Sequence, residues 1–367
     1  MSWDLAIVGA GFAGLAAARS AALRGLKVVV LEAKPELGVR LHTTGIFVRE
    51  AADAYDIPVR LSRRVARVRL YGPSRRHVDL QGPGYYFLTT DTGAVLRWLG
   101  EEAERAGATI RTGARFEGAE RDGDLWRVRA GGETVEARYL IGADGARSPV
   151  GKALGLSPNV RFLSGVERDY HERGGLDPDY LHVFLDSRTA PGYIAWAAAS
   201  PIGAQVGLAV SHGRKPRIDA FLSEAEAMFG LKAGEADRRA GLIPCGGLVK
   251  RWARPGAMLV GDAAGMVSPL TAGGIHPALA LGRRAGQAAA DHLLAGGAPP
   301  EVAVARDVPN WTTKQLLRGL MDLAPPNALI DLAFSTAPML GFARRVFFHA
   351  AGARSLPAAT AAKEREA

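Results

Sequence analysis

The chain opens with apolar runs separated by small-residue turns. Residues 5–8 form an apolar run, followed directly by the hexapeptide Gly9-Ala10-Gly11-Phe12-Ala13-Gly14. Good helix formers fill about residues 15–23, and a second apolar run at residues 27–31 ends at Glu32. Uninterrupted apolar runs of this length are typical of strands buried in a parallel sheet. The pattern therefore predicts a strand, a tight turn, a helix and a second strand, which is one βαβ unit.

The rest of the chain mixes two kinds of pattern. Short alternating segments, separated by turns at Gly72-Pro73 and Gly82-Pro83-Gly84, fill residues 60–90 and are typical of antiparallel strands. Further strands are predicted at residues 109–111, 139–142, 180–185, 194–199, 205–210 and 257–260, and further helices at residues 93–105, 217–229 and 274–294. Antiparallel segments thus lie between segments of the parallel type.

These elements predict an α/β fold. It consists of a Rossmann-like domain built from discontinuous segments, an inserted antiparallel β-sheet domain that binds the substrate, and a short helical C-terminal region. The predicted discontinuous domain comprises residues 1–72, 91–157 and 251–300, the inserted sheet residues 73–90 and 158–250, and the C-terminal region and tail residues 301–367.

Composition excludes several classes of protein. Of the 367 residues, 48% are hydrophobic and 23% charged, so the chain can bury a large core and is not globally disordered. The single cysteine, Cys245, rules out a disulfide framework within the chain, and we expect it to be an inert buried thiol. The histidines show no paired metal-ligand spacing, so no metal is predicted. With no signal-peptide pattern and no apolar run long enough to span a bilayer, the sequence predicts a soluble, cytoplasmic protein.

The first glycine turn has the residues that a dinucleotide site requires. Gly9 allows a tight turn, Gly11 lets the backbone approach a pyrophosphate, and Gly14 lets the helix pack closely on the strand. The helix N-terminus supplies free amides for phosphates. Glu32 follows Gly14 by 18 residues, where a carboxylate accepts the hydroxyls of an unmodified adenosine ribose. The sequence thus predicts a site for FAD or NAD, which also includes Ala10, Ala13 and Ala33.

Two later motifs distinguish FAD from NAD. One strand runs into Asp144-Gly145, and another ends in Gly261-Asp262, followed by Pro269. With the glycine turn, these motifs resemble the p-hydroxybenzoate-hydroxylase-like group of FAD enzymes. The resemblance implies that Asp262 contacts the ribityl chain of the flavin and that Asp144 and Gly145 lie near the pyrophosphate. FAD is therefore the predicted cofactor.

A narrower resemblance concerns the substrate. Residues 261–276 and 281–286, together with the segment Pro191-Gly192-Tyr193-Ile194-Ala195-Trp196, are similar to the geranylgeranyl reductase family. Members of this family reduce isolated double bonds of isoprenoid chains. The resemblance, which covers most of residues 3–295, implies an FAD-dependent oxidoreductase acting on an isoprenoid or similar hydrophobic substrate. Two alternatives stay open: an aromatic or polyketide monooxygenase using NAD(P)H and O2, and a flavin or lipid binding protein without turnover.

The resemblance also implies which residues surround the flavin. His42 stands where some archaeal members carry a cysteine, and it is a candidate proton donor. The alternative is that His42 only hydrogen-bonds the flavin or the backbone. The remaining cofactor-binding residues implied near the flavin are Arg40, Thr43 and Thr44, and the three residues before the long helix, Gly273, Gly274 and Ile275, whose amides would face the flavin O2.

Tyr193 and Trp196 are the candidates for the substrate side. They are predicted either to line an apolar pocket or to be ordinary core aromatics. The family segment continues to Phe-Pro-Lys, whereas this chain has Ala197-Ala198-Ala199. We therefore expect a roomier pocket beside Trp196.

The distribution of charge and the pattern of apolar and basic residues near the C-terminus indicate which partners the protein binds. The net charge is +9, and residues 60–76 contain seven arginines and no acid. This Arg60-to-Arg76 segment is either a solvated strand face or a landing patch for an anionic headgroup or an acidic electron donor. Electrons are expected from NAD(P)H or a small electron-carrier protein. Apolar and basic residues at 327–348 indicate peripheral contact with a membrane or burial against the inserted sheet. The expected substrate is a hydrophobic small molecule or lipid, and no nucleic acid is expected because aromatic residues are sparse.

Overall fold

The computed structural model describes residues 2–232, 238–334 and 336–348. Within these ranges the strands are β1 (Ser2–Val8), β2 (Val28–Leu31), β3 (Phe47–Val48), β4 (Ser62–Val65), β5 (Arg67–Tyr71), β6 (His77–Gln81), β7 (Phe87–Thr90), β8 (Thr109–Arg111), β9 (Phe116–Asp122), β10 (Leu125–Ala130), β11 (Glu133–Gly142), β12 (Phe162–Tyr170), β13 (Tyr180–Phe184), β14 (Ala195–Ser200), β15 (Gly203–Ser211), β16 (Arg238–Pro244), β17 (Ala253–Arg254) and β18 (Ala257–Leu259). The α-helices of the same ranges are α1 (Phe12–Ala22), α2 (Arg49–Ala54), α3 (Thr92–Arg105), α4 (Pro149–Ala153), α5 (Ile218–Phe229), α6 (Ile275–Ala295), α7 (Pro300–Ala305), α8 (Thr312–Asp322), α9 (Asn327–Ala333) and α10 (Ala337–Phe347).

The first large sheet has a parallel centre. Its strand order is β17-β18-β11-β1-β2-β8, and β10 and β9 extend it from β11 as an antiparallel meander. β1 pairs in parallel with both neighbours, so that Ile7 lies opposite Val30 and Ile141. These central residues are fully buried, which explains their apolar runs. Because segments far apart in sequence share this sheet, the predicted α/β fold is confirmed.

Helices α1 and α6 pack so closely that their backbones are nearly in contact. A Cβ at Gly282 would lie 2.4 Å from the Ala13 carbonyl oxygen, and one at Gly286 would lie 2.2 Å from the Ala17 carbonyl oxygen. Since both positions are glycine, the first turn of α1 packs against the third turn of α6, and the pairing of residues 13 and 17 with 282 and 286 shows that the two helices run in the same direction. Both helix N-termini therefore face the same region of the protein.

The second large sheet has the order β16-β12-β15-β14-β13-β5-β6 and is antiparallel except for the β5–β13 pair. The sequence-based division assigned residues 1–72 to the discontinuous domain, but β5 (Arg67–Tyr71) pairs with β13 in this second sheet. The reason is that Val68 and Leu70 on this strand belong to the core of the second sheet. β12 and β16 were not predicted.

A small third sheet links the loop around residue 44 to the second sheet. Its order is β3-β7-β4. Thr89 Oγ1 donates to the Ala199 carbonyl at 2.7 Å, and Thr90 Oγ1 donates to the Gly45 carbonyl at 2.8 Å. The position of the 42–45 loop is therefore set by side chains of β7.

The C-terminal helices are buried on one side only. Phe334 and Phe348 lie in the core of the second sheet, as the burial interpretation predicts. Leu329 and Leu332 of α9 are 58% and 78% exposed. The predicted tail beyond residue 348, and residues 233–237 of the predicted inserted sheet, lie outside the described residues.

His182 makes the stability of the second sheet sensitive to acid. It is buried on β13, and its Nδ1 lies 3.0 Å from the Tyr71 hydroxyl. Burial, aided by nearby Arg69, lowers the pKa of His182 to about 4. Since the unfolded chain then binds a proton at higher pH than the native state, stability should fall as the pH drops from 6.5 towards about 4. We expect urea unfolding to show a loss of about 3 kcal/mol that His182→Gln lacks; equal pH dependence in both proteins would contradict this assignment.

Candidate functional site

A large cavity lies between the two large sheets and beneath the C-terminal helices. Its volume is about 2550 Å³, whereas a drug-sized ligand occupies a pocket of about 300–1000 Å³. The cavity therefore has room for a dinucleotide and a second, elongated ligand. The residues singled out from the sequence that line it are Gly9, Gly11, Ala13, Glu32, Ala33, Arg40, His42, Thr43, Thr44, Asp144, Gly145, Tyr193, Trp196, Asp262, Gly273, Gly274 and Ile275.

Of the three glycines in the glycine turn, only Gly11 leaves space for a phosphate. A Cβ at Gly9, whose φ is +102°, would lie 2.4 Å from the Ala143 carbonyl oxygen, and one at Gly14 would lie 1.9 Å from the Gly9 carbonyl oxygen. A Cβ at Gly11 would meet no atom within 4 Å. No side chain caps α1, so its first amides are available to an anion.

Glu32 lies at the end of β2, beside this turn. Its Oε2 accepts a hydrogen bond from the Ala10 amide at 2.7 Å, and its Oε1 accepts one from the Lys34 amide at 2.9 Å. These bonds hold the carboxylate still. Each carboxylate oxygen has a further lone pair, so Glu32 can also accept the hydroxyls of a ribose.

Asp262 faces the cavity from the short 3₁₀ turn Gly261–Ala264, which follows β18. Burial raises the pKa of Asp262 to about 6. In the part of the chain that the structure describes, no donor hydrogen-bonds its carboxylate oxygens. A buried acceptor without a donor fits hydroxyl groups such as those of a ribityl chain. Together with the open position at Gly11, this acceptor shows that the residues present fit FAD.

The N-terminus of α6 forms another part of the cavity wall. Gly274 is the N-cap of α6, and no side chain caps the helix, which leaves amides to face the cavity. The Tyr193 hydroxyl donates to the Thr271 carbonyl in the preceding loop. Tyr193 therefore fixes the loop before α6 as well as lining the cavity, and its burial raises the pKa of the phenol.

Some residues assigned to the cofactor have structural roles. Gly261, with φ of +62°, packs against Ala13, where a Cβ would lie 2.8 Å from the Ala13 Cβ. Asp144 lines the cavity but also accepts hydrogen bonds from the Ser148 hydroxyl at 2.7 Å and the Val150 amide at 2.8 Å. It thereby stabilises the start of α4. The cavity lining of the described residues does not include Ala10, Gly14, Gly261 or Pro269.

His42 lies on the cavity wall and contacts the backbone of β16. Its Nδ1 lies 2.8 Å from the Ala240 carbonyl oxygen. A carbonyl only accepts, so Nδ1 carries the proton, and in the neutral ring Nε2 is left as an acceptor. The geometry thus supports the backbone-bonding alternative for His42.

A buried charged cluster on the second sheet was not predicted from the sequence. It comprises Glu167 and Asp169 on β12, Arg239 on β16 and Trp196 on β14. Trp196 Nε1 donates to Glu167 Oε2 at 2.7 Å. The indole crosses the neighbouring β15 at Gly207, where a Cβ would lie 2.7 Å from the ring. Trp196 is therefore both a cavity residue and a partner of Glu167.

Arg239 joins this cluster to the 42–45 loop. Its Nη2 donates to both carboxylate oxygens of Asp169, and its Nη1 donates to the Thr43 carbonyl at 3.1 Å. Its Nε lies 3.2 Å from Glu167 Oε1. The signal that could have revealed the cluster is the placement of Glu167 and Asp169 two residues apart, which puts both acids on one face of a strand.

Helix α8 covers the cavity. Lys314, Leu317 and Met321 line the cavity from this helix. On another side, Arg318 is fully buried, donating from Nε to Asp322 at 3.0 Å and from Nη2 to the Gly192 carbonyl. These contacts attach α8 to the loop before β14. Nearby Cys245 is buried, as predicted, and burial raises the pKa of the Cys245 thiol to about 11.

Most arginines of the 60–76 segment have partners within the protein. Arg67 donates to the Tyr180 hydroxyl, Arg69 pairs with Asp79 at 2.7 Å, Arg75 pairs with Asp186 at 3.0 Å and with Glu224, and Arg76 donates to the Asp331 carbonyl. Arg60, Arg63 and Arg64 are exposed. Among the described residues no carboxylate pairs with these three arginines, which makes them the candidates for a landing patch.

Membrane-spanning helices and metal clusters are both absent from the described part of the chain. No helix within the described ranges is both long and apolar enough to cross a bilayer. Across the same ranges, no three His, Cys, Asp or Glu side chains are grouped so that they could hold a metal ion.

Comparison with known proteins agrees with the geometry. Residues 2–165 match the model of an FAD binding domain. Digeranylgeranylglycerophospholipid reductase 2 of Methanopyrus kandleri is 33% identical over 316 residues, which cover 80% of this chain and 78% of that protein. A geranylgeranyl bacteriochlorophyll reductase-like protein of Thermoplasma acidophilum has a TM-score of 0.81 at 23% identity, covering 95% of this chain and 96% of that chain.

The fold is also shared with other flavin enzymes. A p-nitrophenol 4-monooxygenase of Pseudomonas putida has a TM-score of 0.71 at 16% identity, covering 94% of this chain and 97% of that chain. Likeness of fold therefore does not distinguish reductases from monooxygenases, whereas the sequence identity does. The prediction of FAD as the cofactor is confirmed. The chain belongs to the geranylgeranyl reductase family of FAD-dependent oxidoreductases.

Proposed function

We propose that this enzyme reduces carbon–carbon double bonds of an isoprenoid chain carried by a lipid, such as a geranylgeranyl glycerophospholipid. The observation that carries the proposal is the 33% identity, over 80% of the chain, to a protein named digeranylgeranylglycerophospholipid reductase 2. The cavity supports it, since its volume leaves room for an elongated ligand beside a dinucleotide.

Residues of the first sheet would hold the cofactor. Glu32 would bind the adenosine ribose, Gly11 and the amides of α1 the pyrophosphate, and Asp262 the ribityl chain. The amides at the start of α6 would stabilise negative charge on the ring system. When bound and reduced, FAD supplies a hydride for one carbon of the double bond.

The second sheet would hold the isoprenoid chain. Apart from Glu167 and Arg239, its cavity face is largely apolar, so it can take a hydrocarbon chain out of water. Exclusion of water also keeps the chain in one orientation relative to the cofactor. The apolar residues that this face contributes to the cavity wall include Leu70, Leu181, Val183, Leu185 and Ile243.

An anaerobic experiment tests the proposal against the monooxygenase alternative, with which the fold is equally compatible. The holoenzyme is chemically reduced without oxygen and mixed with a geranylgeranyl lipid while the flavin absorbance is followed. We expect the flavin to reoxidise when the lipid is added. A flavin that reoxidises only when air and a phenol are admitted would favour the monooxygenase, and unchanged rates with every lipid and aromatic tested would favour a binding protein.

The reductant is proposed to be NAD(P)H or a small acidic electron-carrier protein. Support for a carrier comes from the exposed Arg60, in the turn before β4, and from the exposed Arg63 and Arg64 within β4. An acidic carrier would be attracted to this patch over about a Debye length. The same three side chains could instead meet an anionic lipid headgroup.

Helix α8 is proposed to rest on a membrane surface from which the lipid substrate enters. Its cavity-lining residues and its exposed leucines form different stripes of the same helix. A helix with lipid on one side and the cavity on the other would give an acyl or isoprenoid chain a short apolar path. The exposed leucines of α8 and α9 are Leu316, Leu320, Leu323, Leu329 and Leu332, which are 58% to 78% exposed. Exposed Arg344 and Arg345 on α10 would favour anionic lipids.

Vesicle sedimentation tests this contact. The double variant Leu320→Glu and Leu323→Glu places two carboxylates on the exposed stripe and should abolish binding to vesicles that contain anionic lipid, because each change removes apolar contact and adds repulsion. The matched control is Leu23→Glu, since Leu23 is 48% exposed beside α1, far from α8. Equal sedimentation of both variants with wild type would contradict membrane contact through α8.

A further inference from the structure

Reduction of a double bond needs a proton as well as a hydride, so a group on the cavity wall must supply the proton. In the neutral ring, His42 has its proton on Nδ1, bonded to the Ala240 carbonyl. Glu167, from the neighbouring strand, also lines the cavity and is 3% exposed. A buried carboxyl at the wall of an apolar cavity is the kind of group that holds a proton for transfer.

We propose that the protonated carboxyl of Glu167 is the proton donor to the second carbon of the double bond, an inference that rests on the proposed function. In this step the O–H bond of Glu167, the π bond of the substrate and the N–H bond that held the hydride on reduced flavin would break, and a C–H bond would form at each carbon. The substrate gains two electrons with the hydride, which reduced flavin supplies. Glu167 is left as a carboxylate and recovers its proton from water before the next turnover.

The charges around Glu167 explain why it holds a proton. Two carboxyls, Glu167 and Asp169, share one guanidinium, Arg239, and Arg239 directs Nη2 to both oxygens of Asp169. If both acids were ionised, the buried cluster would carry a net negative charge. Burial, with Asp169 adding to it and Arg239 opposing it, raises the pKa of Glu167 to about 7. Glu167 is therefore the acid that stays protonated near neutral pH.

The contacts of the two oxygens also fix the orientation of the carboxyl. Oε1 faces Arg239, whose Nε is 3.2 Å away, and Oε2 accepts the Trp196 indole N–H at 2.7 Å. Because a proton next to a guanidinium is unfavourable, we place it on Oε2. Trp196 is then a positioning residue, which holds Oε2 in place across Gly207.

The cluster also lies next to the loop that the family resemblance places at the flavin. Arg239 Nη1 donates to the Thr43 carbonyl, and His42 contacts the adjoining Ala240. The charged groups that face Glu167 are Arg239 of β16 and Asp169 of its own strand, while β14 contributes Trp196. No other part of the second sheet combines a carboxyl, the cavity wall and a contact with this loop in the residues described.

The test compares Glu167→Gln with Glu226→Gln in the reduced holoenzyme. Glu226 accepts from the Tyr170 hydroxyl on the opposite face of the sheet, so its variant makes the same Glu-to-Gln substitution away from the cavity. We expect anaerobic reoxidation by a geranylgeranyl lipid to slow by about 10²- to 10⁴-fold in Glu167→Gln and to stay at the wild-type rate in Glu226→Gln. Both variants should bind FAD and be reduced by dithionite as wild type is. A wild-type rate in Glu167→Gln would overturn the proposal.

Two measurements on the wild-type chain do not depend on the folding of a variant. The single-turnover rate should fall as the pH rises through about 7, as Glu167 loses its proton; a flat profile would overturn the proposal. In the FAD-free protein, infrared spectra should show a carboxylic acid C=O band below this pH, and its absence would also overturn it. If wild type itself reduces no lipid while the band is present, it is the proposed function that fails.

Discussion

Gly14→Val should yield a protein that retains no FAD and is destabilised by about 3 kcal/mol or more. The reason is that a Cβ at this position lies 1.9 Å from the Gly9 carbonyl oxygen and 3.3 Å from the Ala143 Cβ. The backbone of the turn or of α1 must therefore move, and the amides that would bind the pyrophosphate move with it. Flavin absorbance of the purified protein and urea unfolding measure the two effects.

Gly11→Ala is the matched control within the same turn. Its backbone is extended, with φ of −81°, and an added Cβ meets nothing within 4 Å. We expect wild-type stability but an FAD affinity reduced by at least about tenfold, equivalent to about 1.4 kcal/mol, because the methyl group occupies the space left for the pyrophosphate. Wild-type FAD affinity in Gly11→Ala would show that the cofactor does not lie at this turn.

Arg318→Met should be the most destabilising change in the C-terminal helices, at about 3–5 kcal/mol. It leaves the buried Gly192 carbonyl without its donor and removes one partner of Asp322. Helix α8 would then be held less firmly over the cavity, so FAD retention should also fall. Urea unfolding measures the stability, and limited proteolysis measures the release of α8.

The control for this change is Arg345→Met, which removes an exposed arginine of α10. Surface changes of this kind alter stability by less than about 0.5 kcal/mol. If Arg318→Met unfolds at the same urea concentration as Arg345→Met, then Arg318 does not attach α8 to the loop before β14.

The first sheet could be predicted because its signals are local. The apolar run before Gly9, the glycine spacing and the acid at Glu32 all lie within one βαβ unit, and each has a direct physical purpose. The Gly261-Asp262 motif similarly follows a buried strand. These short-range patterns were sufficient for the α/β class and for a dinucleotide site, and the resemblance to a group of FAD enzymes then selected FAD.

The second sheet was harder to predict because its pairing is long-range. β12 and β16 have no clean alternation of apolar and polar residues, since β12 turns Glu167 and Asp169 towards the protein interior. Polar residues in a strand usually face water, so the pattern did not indicate a buried strand. The cluster around Arg239 depends on the pairing of these two strands, and it was missed with them.

The structure does not place Ala197-Ala198-Ala199 on the cavity wall. These residues are fully buried within β14, and the described cavity lining does not include them. Neighbouring strands cover these alanines, and their small side chains allow the covering elements to pack closely. Sequence alone cannot show which face of a strand a neighbouring element covers.

The mass of the product from one anaerobic turnover tests the proposed reductase activity most directly. The holoenzyme with chemically reduced flavin is mixed with a geranylgeranyl glycerophospholipid in the absence of oxygen. The lipid is then extracted, and its molecular mass is measured by mass spectrometry. The proposal predicts a lipid heavier by two hydrogens for each double bond reduced, formed as the flavin is oxidised. An unchanged lipid beside a flavin that stays reduced until air is admitted would contradict it.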